Sequence, residues 1–285
     1  MDYQNCILCP RECGVDRTAG KTGFCGCPDI ALVAKSMLHK WEEPALAGSG
    51  GSGAIFFGGC TLGCKYCQNR AISRNPVGKR MNSAELRKEM EMLIAQGAEN
   101  IDLVTPTQYL PTILPALQKK LPVPGVYNCG GYEKVETLRA LSGLVDIYLP
   151  DMKYGDNALA SALSGVRDYV ETTLSAIREM VNQTGKATFR GEKMTRGVIV
   201  RHLILPGQVE NSLKVLDLLG EHFAPGEILV SLMRQYTPME GMTAPYDRKI
   251  TEEEYQSVLS WMYLNELEGF VQEEASATEA FIPDF

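Results

Sequence analysis

AIFFGGCTLGCKYCQN, residues 54–69, joins a short apolar run to three closely spaced cysteines, Cys60, Cys64 and Cys67. The apolar run ends in two glycines, which predicts a buried strand that leads into a loop. Structural zinc sites and most cubane iron–sulfur clusters take four protein ligands. A set of three therefore predicts a cluster with one iron open for catalysis. The alternative is a zinc knuckle completed by a remote cysteine or histidine.

Further apolar segments follow this first strand, and helical segments separate them. The predicted strands are residues 54–59, 101–106, 123–131, 145–153, 197–207 and 227–233. The predicted helices are residues 82–97, 108–121, 133–143, 166–184, 210–221 and 251–264. Short apolar strands that alternate with helices indicate parallel βαβ units, whose chemistry gathers at the carboxyl ends of the strands.

The composition excludes several classes of protein. The 285 residues include 45% apolar and 22% charged residues, as in ordinary globular proteins. A net charge of −7 argues against a general nucleic-acid-binding surface. No run of 18 apolar residues predicts a membrane span, and the first residues do not resemble a secretory signal. We therefore expect a cytoplasmic protein that binds neither nucleic acid nor membrane.

A second group of cysteines precedes the first strand. Cys6, Cys9, Cys13 and Cys25 offer four ligands for a separate metal site, and Cys27 is a spare thiol. In a reducing compartment such a group binds metal more often than it forms disulfides. A zinc ion would staple a segment too small to fold alone. A second [4Fe–4S] cluster that passes electrons is the alternative, and the sequence slightly favours zinc.

The stretch CTLGCKYCQN resembles the signature of the radical S-adenosylmethionine (SAM) superfamily, Cys-x3-Cys-x-aromatic-Cys, with Tyr66 at the aromatic position. The resemblance implies a [4Fe–4S] cluster whose open iron binds SAM. Reductive cleavage of SAM then yields a 5′-deoxyadenosyl radical that abstracts a hydrogen atom from the substrate. It also implies an electron donor of the flavodoxin or ferredoxin type.

The resemblance and the strand pattern together predict an α/β fold. We expect a partial (β/α)6 TIM-like barrel of the radical SAM type with a small Cys-rich N-terminal segment. The predicted division is a metal-binding segment at residues 1–47, the barrel at 48–240, and a C-terminal helix and tail packed on the barrel at 241–285.

A nearer resemblance is to the pyruvate formate-lyase activating enzymes and, more closely, to their uncharacterised relatives. It is carried by CILCPRECGVDRTAGKTGFCG, VYNCGGYE, DIYLPDMKY, VIVRHLILPG and the C-terminal FIPDF. Activating enzymes take a hydrogen atom from a backbone glycine of a partner enzyme. The resemblance implies a protein or peptide substrate, while a small molecule or cofactor is the alternative. A metal-binding interaction module without catalysis is the weaker one.

The same resemblance implies residues that bind SAM. Activating enzymes have a Gly-Gly-Glu-like stretch for the amino group of SAM where this chain has VTPTQ. The glutamate is absent, so Thr105 and Thr107 take that place, unless they only cap a helix. Asn128 stands where the relatives have an aspartate near SAM.

Charged residues at two other strands complete the predicted site. Asp151 and Lys153 match the Asp-x-Lys motif of the family and point to one face, which we expect to be the barrel lumen. They are predicted to act on SAM or on the substrate backbone. Arg201 lies in an apolar strand and needs an anion, for which the resemblance implies the SAM carboxylate. His202 points the opposite way and is predicted to be a core histidine.

Overall fold

The structure, a computed structural model, describes residues 1–272, and within them the chain forms a mixed sheet flanked by helices. The strands are β1 Ala31–His39, β2 Ser52–Phe57, β3 Lys79–Met81, β4 Ile101–Val104, β5 Gly125–Cys129, β6 Ile147–Pro150, β7 Thr188–Arg190, β8 Lys193–Leu203, β9 Leu229–Met233 and β10 Gly269–Val271. The helices are α1 Pro44–Ala47, α2 Arg70–Ser73, α3 Ser83–Ala95, α4 Leu110–Leu117, α5 Val135–Arg139, α6 Asn157–Ser164, α7 Tyr169–Thr184, α8 Val209–His222 and α9 Glu252–Leu264.

The strands predicted from the sequence form the centre of this sheet. Its order is β10-β9-β8-β6-β5-β4-β2-β1-β3, with β7 paired to β8. The neighbours from β2 through β4, β5, β6 and β8 to β9 all pair in parallel. Parallel neighbours joined by helices curl into part of a barrel and bring the ends of their strands to one side. The predicted α/β partial barrel is confirmed.

Four strands were not foreseen, since β1, β3, β7 and β10 lie outside the predicted strands. β1 lies inside the stretch expected to be only a Cys-rich segment, yet it pairs antiparallel with β2 and with β3. After β1 the chain enters the lumen. There Ala45 and Leu46 of α1 pack on Val126, Ile147 and Ile199. The segment therefore supplies a strand between β2 and β3 and a plug for the lumen as well as cysteines.

The last described helix lies on the outside of the barrel. α9 begins at a capping box formed by Thr251 and Glu254, and its Trp261 donates a 2.6 Å hydrogen bond to Asp217 of α8. This is the predicted C-terminal helix; the predicted tail with FIPDF lies outside the described residues. Within residues 1–272, no helix has the length and apolar character that a membrane crossing requires.

Candidate active site

The three cysteines of the first motif lie on a loop that leaves the carboxyl end of β2. Gly59 has a φ of +78°, and a Cβ there would collide with the Cys27 sulfur and approach the Cys25 carbonyl oxygen to 2.9 Å. Only glycine fits this turn. The loop is thus held against the N-terminal segment by a backbone contact that a larger side chain would break.

Each sulfur of this triad accepts at least one hydrogen bond. The Cys60 sulfur accepts from the backbone N–H groups of Leu62 at 3.4 Å and Gly63 at 3.5 Å, Cys67 accepts from the Ser73 hydroxyl at 3.4 Å, and Cys64 accepts from the Ser164 hydroxyl at 3.0 Å. Donors aimed at sulfur stabilise thiolates and tune iron–sulfur clusters. This donor set fits a [4Fe–4S] cluster held by Cys60, Cys64 and Cys67.

Two thiols of the triad, Cys60 and Cys67, are poor thiolates without a metal. Burial raises the pKa of Cys60 to about 12, and the neighbouring thiols Cys67 and Cys64 add to the shift. Burial also raises the pKa of Cys67, and the nearby Lys153 ammonium opposes that shift. Burial makes it costly to deprotonate these thiols, because the thiolate charge is uncompensated. Iron offsets this cost, because the bound metal supplies a compensating positive charge. The Lys153 side chain also lies near the triad loop, since a Cβ on Gly130 would lie 3.4 Å from the Leu62 side chain and 4.0 Å from the Lys153 Cε.

A cluster of tyrosines encloses the triad on one side. Tyr66 is 4% exposed, and its ring centroid lies 6.5 Å from that of Tyr154 and 6.3 Å from that of Tyr236. The Tyr154 hydroxyl hydrogen-bonds Ser164 at 2.6 Å, and Ser164 in turn donates to Cys64. The aromatic residue predicted at Tyr66 therefore belongs to a wall that keeps water from the sulfurs.

Four predicted residues from three different strand ends meet in the lumen. The Asp151 carboxylate accepts a 3.0 Å hydrogen bond from Arg201 Nε and a 2.6 Å bond from Lys153 Nζ. Arg201 also donates to the Asn128 side-chain oxygen at 2.5 Å. Asp151 and Lys153 do share a face, as their spacing indicated. Lys153 connects this network to the cysteine triad.

The structure corrects one argument about Arg201. The sequence shows no acidic residue near it, so the SAM carboxylate was expected to be its anion. The fold supplies Asp151 and also Glu42, whose carboxylate lies 3.4 Å from Arg201 Nη1. Glu42 stands 159 positions away in the chain, just before α1, and no local pattern links the two residues. Arg201 therefore has protein partners whether or not SAM is bound.

Asp102 of β4 is a polar residue of the lumen that sequence reasoning missed. It is fully buried, and its carboxyl accepts a 3.2 Å hydrogen bond from the Asn128 amide. Burial raises the pKa of Asp102 well above its ordinary value, and the adjacent Glu42 carboxyl raises it further. Burial thus favours a proton on Asp102, which reduces the negative charge in the lumen.

The two threonines predicted to bind SAM have different surroundings. Thr105 follows β4 with a φ of +58°, a conformation uncommon outside glycine, and its N–H donates to the Asn128 carbonyl oxygen at 2.8 Å. Thr107 is buried, and its hydroxyl donates to Glu133 at 2.8 Å. Glu133, which sequence reasoning missed, is held there while burial raises its pKa to about 7. Thr105 lies at the lumen network, whereas the Thr107 hydroxyl is engaged elsewhere.

His202 is the core histidine that alternation predicted. It is fully buried, its Nδ1 lies 2.7 Å from the Met152 carbonyl oxygen, and its Nε2 lies 2.9 Å from the Ser212 hydroxyl. A carbonyl oxygen only accepts, so Nδ1 carries the proton and Nε2 accepts from serine. Burial lowers the pKa of His202 to about 4. The residue is neutral in the folded protein at physiological pH.

This buried histidine predicts a loss of stability in acid. The unfolded chain binds a proton near pH 6.5 while the folded chain does not, so the free energy of unfolding should fall by about 2 kcal/mol between pH 7 and pH 5. His202→Gln should lack this part of the pH dependence in urea titrations at both pH values. His222→Gln, at an exposed position, is the control. Equal slopes for both variants would show that His202 is not neutral in the folded state.

The four cysteines of the predicted second site also come together. Cys6, Cys9, Cys13 and Cys25 line one cavity, to which Thr61 of the triad loop contributes as well. Cys27 lies outside it and donates weak hydrogen bonds to the carbonyl oxygens of Cys25 and Gly58 at 3.3 and 3.6 Å. The spare thiol is thus a packing residue beneath the triad loop.

One family model and one curated protein match this chain. Residues 46–105 match the family model of a 4Fe-4S single cluster domain. Uncharacterized protein MJ0674 of Methanocaldococcus jannaschii is 30% identical over 272 residues, which cover 90% of this chain and 74% of that protein. The matched domain contains the cysteine triad but not the four N-terminal cysteines.

Two solved structures share the fold. A radical SAM methyltransferase from Sphaerobacter thermophilus has a TM-score of 0.56 at 15% identity, over 77% of this chain and 65% of that one. Streptococcus suis SuiB bound to S-adenosylmethionine has a TM-score of 0.55 at 13% identity, over 78% of this chain and 50% of that one. SuiB is also known in complex with the precursor peptide SuiA. This chain thus spans between half and two thirds of the length of these proteins.

Proposed function

We propose that this chain, which belongs to the family of MJ0674, is a radical SAM enzyme that abstracts a hydrogen atom from a protein or peptide substrate. The match to a 4Fe-4S single cluster domain and the fold shared with radical SAM enzymes support the predicted [4Fe–4S] cluster and SAM as cofactors. The observation that carries the proposal is the position of the Asp151–Lys153–Arg201 network, which reaches from the lumen to the cysteine triad. A charged network beside an open iron can orient both SAM and a substrate.

When bound, the cluster and SAM would supply the radical chemistry, for which the cluster would provide the electron. The residues of the chain would bind and orient the cluster, SAM and the substrate. Cys60, Cys64 and Cys67 hold the cluster, while the tyrosine wall around Tyr66 excludes water from it. Lys153 and Arg201 present cations for a carboxylate, which we assign to SAM. Asp151 holds both cations in place and is available to a substrate backbone N–H.

Two features support a polypeptide substrate. Among residues 1–272 the central sheet ends in the edge strands β10 and β3, so this part of the chain leaves an open side through which an extended segment can enter. α1 plugs the amino-terminal half of the lumen, which confines the substrate to the end beside the triad. SuiB, which shares the fold, is a protein that binds a precursor peptide. A low-potential donor of the flavodoxin or ferredoxin type would supply the electron.

Transfer of deuterium distinguishes the substrate classes. The reconstituted protein, SAM and dithionite are incubated with extract from cells grown in deuterated medium, separated into macromolecules and small molecules. We expect 5′-deoxyadenosine to form and to gain deuterium from the macromolecular fraction. Deuterium from the small-molecule fraction alone would favour the modification of a metabolite or cofactor. No 5′-deoxyadenosine under any condition would contradict the proposed activity itself.

Arg201→Lys should weaken SAM binding while the cluster remains. A lysine cannot keep the three contacts that the guanidinium makes with Asp151, Glu42 and Asn128, and it lacks the fork that matches a carboxylate. We expect a loss of about 1.5–3 kcal/mol in binding free energy, the range for hydrogen bonds to charged groups. Calorimetric titration of SAM measures it, with iron content as the control. Unchanged affinity would mean that Arg201 serves only to hold Asp151.

A further inference from the structure

The cavity formed by the four N-terminal cysteines has an unusual lining. Besides Cys6, Cys9, Cys13 and Cys25, it is lined by two arginines, Arg11 and Arg17, and by no acidic residue. Its other walls are Leu8, Gly23, Phe24, Thr61 and Gln108. Four thiols and two guanidinium groups that face the same space indicate an anionic occupant.

Arg17 supports an anionic occupant of the cavity, because this cationic residue is only 1% exposed. Its guanidinium donates to the carbonyl oxygens of Gln108 at 2.6 Å, Cys27 at 3.0 Å and Pro28, and Nη1 lies 3.8 Å from the Cys6 sulfur. Within residues 1–272, it forms no ion pair with a carboxylate. Burial of an unpaired charge is costly, so the fold must supply an anion nearby. Thiolates held by a metal centre are the anion that these residues can provide.

Arg11 is the second arginine that lines the cavity. It stacks on Phe24 with its guanidinium carbon 3.3 Å from the ring centroid, and its hydrogen bonds go to backbone carbonyl oxygens. Glu133 lies close enough to influence Cys9, but its carboxyl is held by Thr107 and Tyr127. Neither arginine of the cavity therefore has a carboxylate partner among the described residues.

We propose that this cavity binds a second iron–sulfur cluster of the [4Fe–4S] type through Cys6, Cys9, Cys13 and Cys25, and that this cluster passes electrons to the cluster at the triad. Because Thr61 of the triad loop lines the same cavity as the four cysteines, we favour a cluster that can pass electrons over the zinc ion that the sequence slightly favoured.

A continuous set of hydrogen bonds connects the two sites. Arg11 Nε donates to the Thr61 carbonyl oxygen at 2.7 Å, and Arg11 Nη2 donates to the carbonyl oxygens of Leu62 at 3.2 Å and Ser164 at 3.1 Å. Thr61 follows Cys60 directly, and Ser164 donates to the Cys64 sulfur at 3.0 Å. The N-terminal cluster would therefore share one wall with the catalytic cluster.

The transfer involves one electron and no change in bonds or protons. A reduced flavodoxin- or ferredoxin-type donor is oxidised by one electron as it reduces the N-terminal cluster. That electron then passes to the triad cluster, and the N-terminal cluster returns to its oxidised state. This role rests on the proposed radical SAM function, whereas the presence of the second cluster does not.

Iron content tests the presence of the second cluster separately from catalysis. After anaerobic reconstitution, the wild type should hold about eight irons per chain, and the variant with Cys60, Cys64 and Cys67 all changed to Ala about four. The EPR signal of this variant after dithionite should not respond to SAM. Cys9→Ala/Cys13→Ala should lose about four irons and keep the SAM-responsive signal. Cys27→Ala, in the same segment but outside the cavity, should retain both clusters.

Zinc in place of iron in the triad variant, or a wild type with about four irons, would overturn the second cluster. If the triad variant does not fold, Mössbauer spectra of wild type labelled with 57Fe still decide, since only one of two equal iron populations should respond to SAM.

The relay is tested in Cys9→Ala/Cys13→Ala by the rate at which reduced flavodoxin reduces the triad cluster. We expect it to fall by about tenfold or more, the scale for changes close to a metal centre. An unchanged rate would overturn the relay.

Arg17→Gln provides a matched electrostatic test. Removal of a buried positive charge beside a cluster stabilises its oxidised form, so the reduction potential of the SAM-insensitive cluster should become more negative. The potential of the SAM-responsive cluster should change less, because Arg17 lies on the wall of the other cavity. Equal shifts at both clusters, or none, would contradict the assignment of Arg17 as the compensating charge.

Discussion

Replacement of Cys60, Cys64 and Cys67 together by alanine is expected to reduce the formation of 5′-deoxyadenosine from SAM to the uncatalysed background. The three sulfurs are the proposed ligands on the loop after β2, and each accepts a hydrogen bond that would stabilise a thiolate. Without them no iron is left to bind SAM or to deliver the electron. Chromatographic measurement of 5′-deoxyadenosine after dithionite reduction gives the result directly.

The matched control is Cys129→Ala. Cys129 is buried in the hydrophobic core at the end of β5, and burial raises the pKa of its thiol well above its ordinary value. It should behave as a packing residue, so this variant should keep its iron and its activity. Persistent 5′-deoxyadenosine in the triple variant would show that another set of ligands binds the catalytic cluster. Equal loss in both variants would point to a general defect in folding.

The sequence was sufficient for the fold because the relevant signals are local. Each parallel strand contains a short apolar run, and a helix follows it in the chain. At α3, Asn82 and Glu85 also form a capping box. The triad lies on one loop, so its spacing alone indicated the cluster. β1 was missed because its run of half-buried residues leaves no clear period.

The candidate site was predictable only in part, because partners in the lumen come from distant parts of the chain. Arg201, Asp151 and Asn128 were found one by one, but their bonds to each other depend on the register of neighbouring strands. Glu42 and Asp102 were missed, since a single acid in an unpatterned turn or a short strand carries no signal. Arg17 was missed for the same reason: its burial follows from the tertiary fold alone.

Asp151→Ala is expected to destabilise the protein strongly. Burial acts to raise the pKa of Asp151, but the charges of Lys153 and Arg201 hold it below its ordinary value. Without this carboxylate, the Lys153 ammonium loses its ion-pair partner and Arg201 keeps only the more distant Glu42. Loss of one member of a buried ion pair costs about 3–5 kcal/mol, because the remaining charge stays buried without compensation. Urea denaturation of the variant and the wild type measures the difference in free energy of unfolding.

Asp29→Ala is the control for this prediction, since it removes the same side chain from an exposed ion pair. Asp29 lies 3.9 Å from Arg80, and both side chains are largely open to solvent. An exposed pair contributes about 0–1 kcal/mol, so this variant should unfold nearly as the wild type does. Asp151→Asn should fall between the two, because the amide keeps an acceptor for Arg201 but loses the charge. If Asp151→Ala and Asp29→Ala have equal effects, water rather than Asp151 compensates the lumen cations. The network would then be too loosely held to orient SAM or a substrate.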